Sequence, residues 1–354
     1  MRTFEYHRLP RSLFGGDVLE ACAQIYEDKG RFAALAQGDD AALRALQERA
    51  RFDNVDASLR IEGLYADPAR IRAVLAGEEP ASELEQQAAG YARALDLIEG
   101  EGCGGALPEF SPATILALYE TLFSHRNLGR KSRYRKKDYM YVQVDGRPQA
   151  MPVSPITAFE TPLVLGGACD SLAEALAAGA SSPLVLAAVF AVDFLCIRPF
   201  DEGNGRLARL ASELLLAQAG FDVFRYASID RIIERSGMAY YDALNACVEG
   251  WDRAANDYAP YVKYWLDAVH ATYEQLFRSL DAAGGAGGAG GKTARVRAFV
   301  RQAADPVTKR QIRAALPDVS EATVEAALGA LVREGEAEKL GAGRATAYRW
   351  KGEA

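Results

Sequence analysis

The chain has 354 residues, 49% hydrophobic and 25% charged, with a net charge of -7. This supplies enough apolar material for a large core plus a second domain, and the acidic balance argues against nucleic-acid binding by the chain as a whole. Five scattered cysteines (Cys22, Cys103, Cys169, Cys196, Cys247) include no C-x-x-C pair, so neither a disulfide framework nor a zinc site is indicated.

Apolar runs such as Leu184–Ile197 are too short to span a bilayer, and this one contains Asp193. The N-terminal residues lack a secretory apolar core, so a cytoplasmic protein with no membrane segment is expected. Helical periodicity dominates and strand-like runs are few, which predicts a mainly α fold.

In chain order, Phe14–Ala50 reads as a helical extension. Asp56–Gly63 follows and contains Ser58-x-x-x-Glu62-Gly63, which by itself is a capping-like pattern on an ordinary helix. Pro68–Leu75 and Ser82–Glu99 read as further helices, and Gly100–Gly105 breaks the pattern. Ser111 and Pro112 start a helix that runs to about Ser124. Arg126, Arg130, Lys131, Arg133, Arg135, Lys136 and Lys137 form a basic cluster, read either as a solvated loop or as a surface that guides an acidic partner or nucleotide. Tyr139–Val144 then alternates, Asp145-Gly146 supplies a turn, and Arg147–Pro152 returns as a β-hairpin.

The richest segment is Arg198-Pro-Phe200-Asp-Glu202-Gly203-Asn204-Gly205-Arg206-Leu-Ala-Arg209, between the apolar runs Leu184–Ile197 and Leu207–Gly220. It reads as helix, tight loop, helix. Free backbone N–H groups and the partial positive charge at a helix start suit a phosphate. Glu202 offers a hard oxygen to Mg²⁺. Arg206 and Arg209, three apart, are placed to reach further phosphate oxygens. An isolated G-x-G beside a helix is usually only a turn. The carboxylate, the asparagine and the two spaced arginines go beyond that and describe a site for a magnesium-bound nucleoside triphosphate.

Ile229–Glu249 and Pro260–Leu280 complete a helical core. Residues 282–291 are only Gly and Ala and read as a flexible linker. Residues 292–354 hold twelve Lys/Arg against eight Asp/Glu, a net of about +4 that leaves about -11 for the rest. Thr293–Ala304, Thr308–Leu316 and Ser320–Glu334 read as helices, and Glu336–Leu340 and Ala345–Trp350 flank a Gly341-Ala-Gly343 turn. Three helices and a hairpin predict a winged helix-turn-helix. Its third helix carries Glu321 and Glu325 at its start, with Arg333 its sole basic residue. Arg295, Arg297, Arg301, Lys309, Arg310, Arg313 and Arg344 are available for phosphate contacts to DNA while base readout looks poor, and a packing or protein-contact role is preferred to DNA binding.

The segment Arg198–Arg209 resembles the signature of the Fic (Fido) family, H-x-F-x-[DE]-G-N-G-R-x-x-R. Phe200, Glu202, Gly203, Asn204, Gly205, Arg206 and Arg209 match, while Arg198 stands where the family has its histidine. The resemblance implies protein adenylyltransferase chemistry, in which that histidine deprotonates a target hydroxyl for attack on the α-phosphate of ATP. Arginine holds its proton and offers no lone pair. The catalytic position is thus filled by a residue that is no base, and AMP transfer is expected to be absent or impaired.

Ser58, Glu62 and Gly63 resemble the family's inhibitory motif, [ST]-x-x-x-E-[GN], in which the glutamate pairs with the second motif arginine, here Arg209. The resemblance also makes the Tyr139–Pro152 hairpin a flap that docks the protein target by strand addition, and sets Met238–Leu244, with Tyr240 and Tyr241, near the adenine. The organisation read from the sequence is then 1–110, a helical region with the inhibitory motif; 111–281, a Fic-type helical core with a small flap; 282–291, the linker; and 292–354, the winged helix. ATP and Mg²⁺ are the expected cofactors. Self-association stays open, and so does a competing role as a nucleotide-binding pseudoenzyme or DNA-associated regulator.

Overall fold

The computed structural model describes residues 2–36, 40–100, 105–125, 134–144, 147–152, 154–287, 293, 296–297, 299–301, 303, 306–316, 319–341 and 346–351. The chain divides into two compact units, Met1–Gln275 and Leu276–Ala354. The Asp145-Gly146 turn, Arg126, Arg130, Lys131, Arg133 and the 342–345 turn lie outside the described residues.

The first unit is helical around one short hairpin. Its elements are α1 (Gly16–Leu35), α2 (Asp40–Ile61), α3 (Pro68–Leu75), α4 (Glu83–Ile98), α5 (Pro112–Leu122), β1 (Tyr139–Val144), β2 (Arg147–Pro152), α6 (Thr161–Ala177), α7 (Pro183–Ile197), α8 (Asn204–Gln218), α9 (Ile229–Ser236), α10 (Met238–Ala246) and the part of α11 (Ala259–Gly287) up to Gln275. The caps explain several starts. Ser82, Ser111, Ser182 and Ser228 accept from backbone N–H groups at the head of α4, α5, α7 and α9, and proline opens α5 and α7.

Helix α7 is apolar all round and buried along nearly its whole length, which makes it the axis of the unit. It packs against α6 and α8, α4 packs against α5 and α8, and α2 lies along α9. The N-terminal helices and the core are therefore one body rather than an extension beside a domain.

Three elements differ from the sequence reading. Helix α6 has no clear signal in the sequence, because Pro162 and Gly166-Gly167 interrupt its propensity; the proline sits in its first turn, where it is tolerated. Ile229–Glu249 breaks at Gly237, whose φ of 58° no helix accommodates, into α9 and α10. Helix α11 continues to Gly287, inside the Gly/Ala stretch; a helix anchored by its buried face propagates into a poor tract. The hairpin pairs antiparallel from Tyr139↔Pro152 to Val144↔Arg147.

In the second unit, helical residues within 293–301 are followed by β3 (Val307–Thr308), α12 (Lys309–Ala315), α13 (Glu321–Arg333), β4 (Ala337–Leu340) and β5 (Ala347–Trp350). The sheet order is β3-β5-β4, all antiparallel. Strand β3 is invisible to a sequence reading, since it is two residues long and carries no period of its own. Val296, Val300, Ile312, Val324, Leu328 and Leu331 lead its core, and Thr308 and Gln311 form a reciprocal capping box at α12.

Candidate functional site

The site forms where α7 ends and α8 begins. Arg198 caps α7 in the left-handed region at φ 49°, its N–H bonded to Phe194 C=O at 2.9 Å. Phe200 is buried and stacks on Tyr119 at 4.1 Å and 9°, with Tyr134 5.7 Å away. Asn204 closes the loop, accepting from Phe200 N–H at 3.1 Å and donating to Phe200 C=O at 2.8 Å.

Gly203 has φ 77°, and a Cβ there would lie 2.8 Å from the Phe123 ring, so glycine meets both a backbone and a packing requirement. Helix α8 starts without a side-chain cap. Its first N–H groups are therefore left for a ligand or solvent.

Arg135 holds this loop from behind. It is buried. Its N–H donates to Pro199 C=O at 2.8 Å, its Nε to Arg198 C=O at 2.9 Å and its Nη1 to Lys137 C=O at 2.9 Å. Its Nη2 donates to Ile156 C=O. Lys137 and Ile156 bracket the hairpin, so a single guanidinium ties the hairpin's base to the loop. The sequence reading places Arg135 in the basic cluster, as part of a solvated loop or a guiding surface; its burial on three backbone carbonyls removes it from any such surface.

Arg209, one turn into α8, is fully buried. Its Nη2 donates to Ser58 Oγ at 3.0 Å, its Nη1 lies 3.5 Å from Glu62 Oε1, and its Nε lies 2.7 Å from Asp230 Oδ1. Burial opposes the charge of Arg209, but Asp230, Tyr240, Glu62 and Tyr91 more than offset it and push its pKa well up. Tyr91 Oη donates to the other oxygen of Asp230. Glu213 is also buried and is pushed well above the usual carboxylate range by burial, then by Asp230 and Glu99.

The end of α2 brings Ser58 and Glu62 to Arg209. Gly63, at φ 74°, ends that helix, with Leu64 N–H on Leu59 C=O and Gly63 N–H on Arg60 C=O. Tyr241 Oη donates to Ile61 C=O at 2.6 Å. Arg231 on α9 grips Asp53 at 3.2 Å and Asp56 at 2.6 Å on α2. The Glu62 carboxylate ends above the start of α8, where a Cβ on Gly205 would be 2.7 Å from its Oε1.

A cavity of about 420 Å³ opens here. Arg198, Glu202, Gly203, Asn204, Gly205 and Arg209 line one side, with Glu62 at its edge. Val192, Leu195, Leu244, Val248 and Trp251 give the apolar side, joined by Tyr240, Tyr241 and Asn245. Arg206 is not on the wall. Its guanidinium lies 5.2 Å from the Phe123 centroid and its Nη1 donates to Gln87 at 3.1 Å. The expectation that both motif arginines reach one ligand is thus met by Arg209 alone in this geometry; Arg206 points back between α4 and α5.

Asp230, Tyr91 and Gln87 escape a sequence reading, since no spacing links them to the motif. The donor set bears on cofactors. Among the described residues no cluster of three or more His, Cys, Asp or Glu is arranged to hold a metal. An exposed Glu202 on the wall fits a Mg²⁺ carried by phosphates, which needs one or two protein carboxylates, and not a preformed metal cage.

Residues 109–216 match the model of the Fic/DOC family. No curated protein matches the chain. Among solved structures, a Fic family protein from Desulfovibrio desulfuricans G20 aligns with TM-score 0.61 and 20% identity over 96% of this chain and 98% of its own. A Fic domain-containing signaling protein from Bacteroides thetaiotaomicron VPI-5482 gives 0.55 and 17% over 75% and 98%. Fic-1, residues 134–508, from C. elegans gives 0.57 and 19% over 75% and 73%. At these identities the likeness is one of fold. The motif loop between α7 and α8 lies inside the matched segment, which is a Fic/DOC family domain, while Glu62 and the Tyr240–Trp251 wall of the cavity lie outside it.

Proposed function

We propose that the cavity binds a nucleotide with Mg²⁺, that Glu62 restrains it, and that AMP transfer to protein hydroxyls is absent or strongly reduced because Arg198 occupies the position of the base. The observation that carries this is the uncapped start of α8 facing the same cavity as Arg209, with Glu62 drawn over Gly205. Gly203, Asn204 and Gly205 offer backbone N–H groups to phosphate oxygens. Glu202 would hold the Mg²⁺, which supplies charge neutralisation of the phosphates. The apolar wall and Tyr240 receive the base.

Glu62 occupies Arg209 and sets a negative charge where a terminal phosphate would approach, which is how it would inhibit. The β1–β2 hairpin, anchored through Arg135, offers its edge to an extended segment of a protein target. A base positioned at residue 198 would take the target's hydroxyl proton; the guanidinium there takes none. The test is to incubate the parent and the chain carrying Arg198→His with Glu62→Gly with labelled ATP. Self-labelling with AMP should rise at least about a hundredfold in the double variant, the worth of a general base. Equal labelling would mean that position 198 has been misassigned.

A second reading is favoured by the second unit. Helices flanking a three-stranded sheet support the winged-helix interpretation, and a groove of about 1380 Å³ is lined by Lys309, Arg310, Arg313 and Lys339. Glu325 pairs with Lys309 at 2.5 Å and Glu321 with Arg313 at 2.8 Å. The rest of the exposed face of α13 is Ala322, Ala326, Gly329 and Val332, with Arg333 only in its last turn, which leaves little to read base edges. Salt-sensitive contact with a phosphate backbone, as part of a regulator, is what such a groove supports. A short duplex that fails to bind even at low salt would remove this reading.

A further inference from the structure

We infer that Arg198 is a phosphate-binding residue, and that with Glu62 in place the site holds a nucleoside diphosphate. The inference rests on the nucleotide reading above and goes beyond it by giving Arg198 a positive role instead of a missing one.

The two guanidiniums on the cavity wall are in opposite situations. Arg209 is engaged by a hydrogen bond to Ser58 and by the carboxylates of Asp230 and Glu62. Arg198 lines the same cavity, is half-buried, and its guanidinium has no ion-pair or hydrogen-bond partner among the described residues. A charge so placed draws an anion.

The backbone of Arg198 is fixed independently of its side chain. Its N–H is used by Phe194, its C=O by Arg135, and the next carbonyl, of Pro199, by Arg135 again. A ligand therefore meets a preorganised loop, and only the side chain has to settle on it. Arg198 enters this loop, the uncapped start of α8 leaves it, and both line the same cavity.

The number of phosphates follows from Glu62. Its carboxylate lies over Gly205 and against Arg209. A third phosphate would have to displace it, while two phosphates need only the loop and Arg198. The apolar wall of Val192, Leu195, Leu244, Val248 and Trp251 calls for a nucleoside rather than a bare anion. A histidine at 198 is mostly neutral at physiological pH and would hold phosphate less well. Arginine there trades a base for a clamp.

The test is calorimetry with ADP and, separately, adenosine, on the full chain and on Arg198→Ala, Arg198→His and Arg198→Lys. The parent should bind ADP. Arg198→Ala and Arg198→His should weaken ADP by roughly ten- to a hundredfold, the range of a charge-assisted hydrogen bond, with Arg198→Lys in between. Adenosine should bind all four alike, which also shows that the variants are folded.

Unchanged ADP affinity in Arg198→His would overturn the inference. So would equal loss of ADP and adenosine binding, which would mark Arg198 as structural, or ADP binding seen only after Glu62→Gly. Absence of ADP binding in both the parent and Glu62→Gly would remove the nucleotide reading itself. The two failures are thus distinct.

Discussion

The two ends of the motif segment are built on opposite principles. At the Arg209 end every charge is answered: Asp230, Ser58 and Glu62 surround the guanidinium, Tyr91 steadies Asp230, and Arg231 straps α2 to α9 through Asp53 and Asp56. At the Arg198 end the backbone is fully used and the side chain is not. Under the proposed function, the first end is the closed one and the second is the one that receives the ligand. A carboxylate from the end of α2 completes the Arg209 end, at 3.5 Å from the guanidinium.

The comparison is broken most severely at Asp230. Asp230→Ala leaves Arg209 buried with only the longer Glu62 contact and Ser58, and leaves Tyr91 without its acceptor. Loss of one partner of a buried pair costs about 3–5 kcal/mol. Urea unfolding should show a loss of that size, and a change below about 1 kcal/mol would mean that Arg209 is not held as described.

Arg135→Met comes next. It strips the carbonyls of Arg198, Lys137 and Ile156 of their side-chain donor and should cost about 1–3 kcal/mol, most of it from the buried Ile156 acceptor. Hydrogen exchange should rise in the Arg198–Gly203 loop and at Ile156 together. A rise confined to one of these would contradict the shared anchor.

How much of this is legible beforehand depends on the kind of signal. Pro68, Ser82, Ser111 and Pro112 mark helix starts by chemistry that acts within one turn, and α3, α4 and α5 begin at or next to them. Ser58 and Glu62 stand out through resemblance; their helical pattern alone is ordinary. Asp230 is illegible because its partner is Arg209, on another helix, and nothing in its own segment requires a carboxylate. Helix α6 is hidden by its glycines, since tertiary burial of Val164, Leu165 and Leu172 outweighs local propensity. The rotation of Arg206 away from Arg209 is equally hidden: spacing places two residues on one face but not their side chains' partners.

A pH series sharpens the view of the closed end. Glu213 titrates well above the usual range because of burial and the nearby Asp230. Below about pH 4 it is protonated in both states and has no effect. As pH rises past the unfolded pKa of about 4.3, the unfolded chain ionises first, so Glu213 lowers stability progressively until its folded pKa is passed. Glu213→Gln should lack this component, so that the gap between variant and parent urea midpoints widens in the variant's favour from about pH 4 upward. A constant gap would show that Glu213 titrates normally.

The smallest effect is expected at Glu62. Its side chain is partly exposed and 3.5 Å from Arg209, so Glu62→Gln should change stability by less than about 1 kcal/mol. A larger loss would make Glu62 a structural member of the cluster rather than a movable stopper.

The measurement that tests the central claim most directly is ATP affinity, in the presence of Mg²⁺, of the parent against Glu62→Gly. If Glu62 closes a nucleotide site by occupying Arg209, its removal should tighten ATP by at least about tenfold, because the guanidinium becomes available to a phosphate and a repelling carboxylate is gone. ATP affinity unchanged by Glu62→Gly, or no ATP binding by either chain at millimolar concentration, would contradict the account.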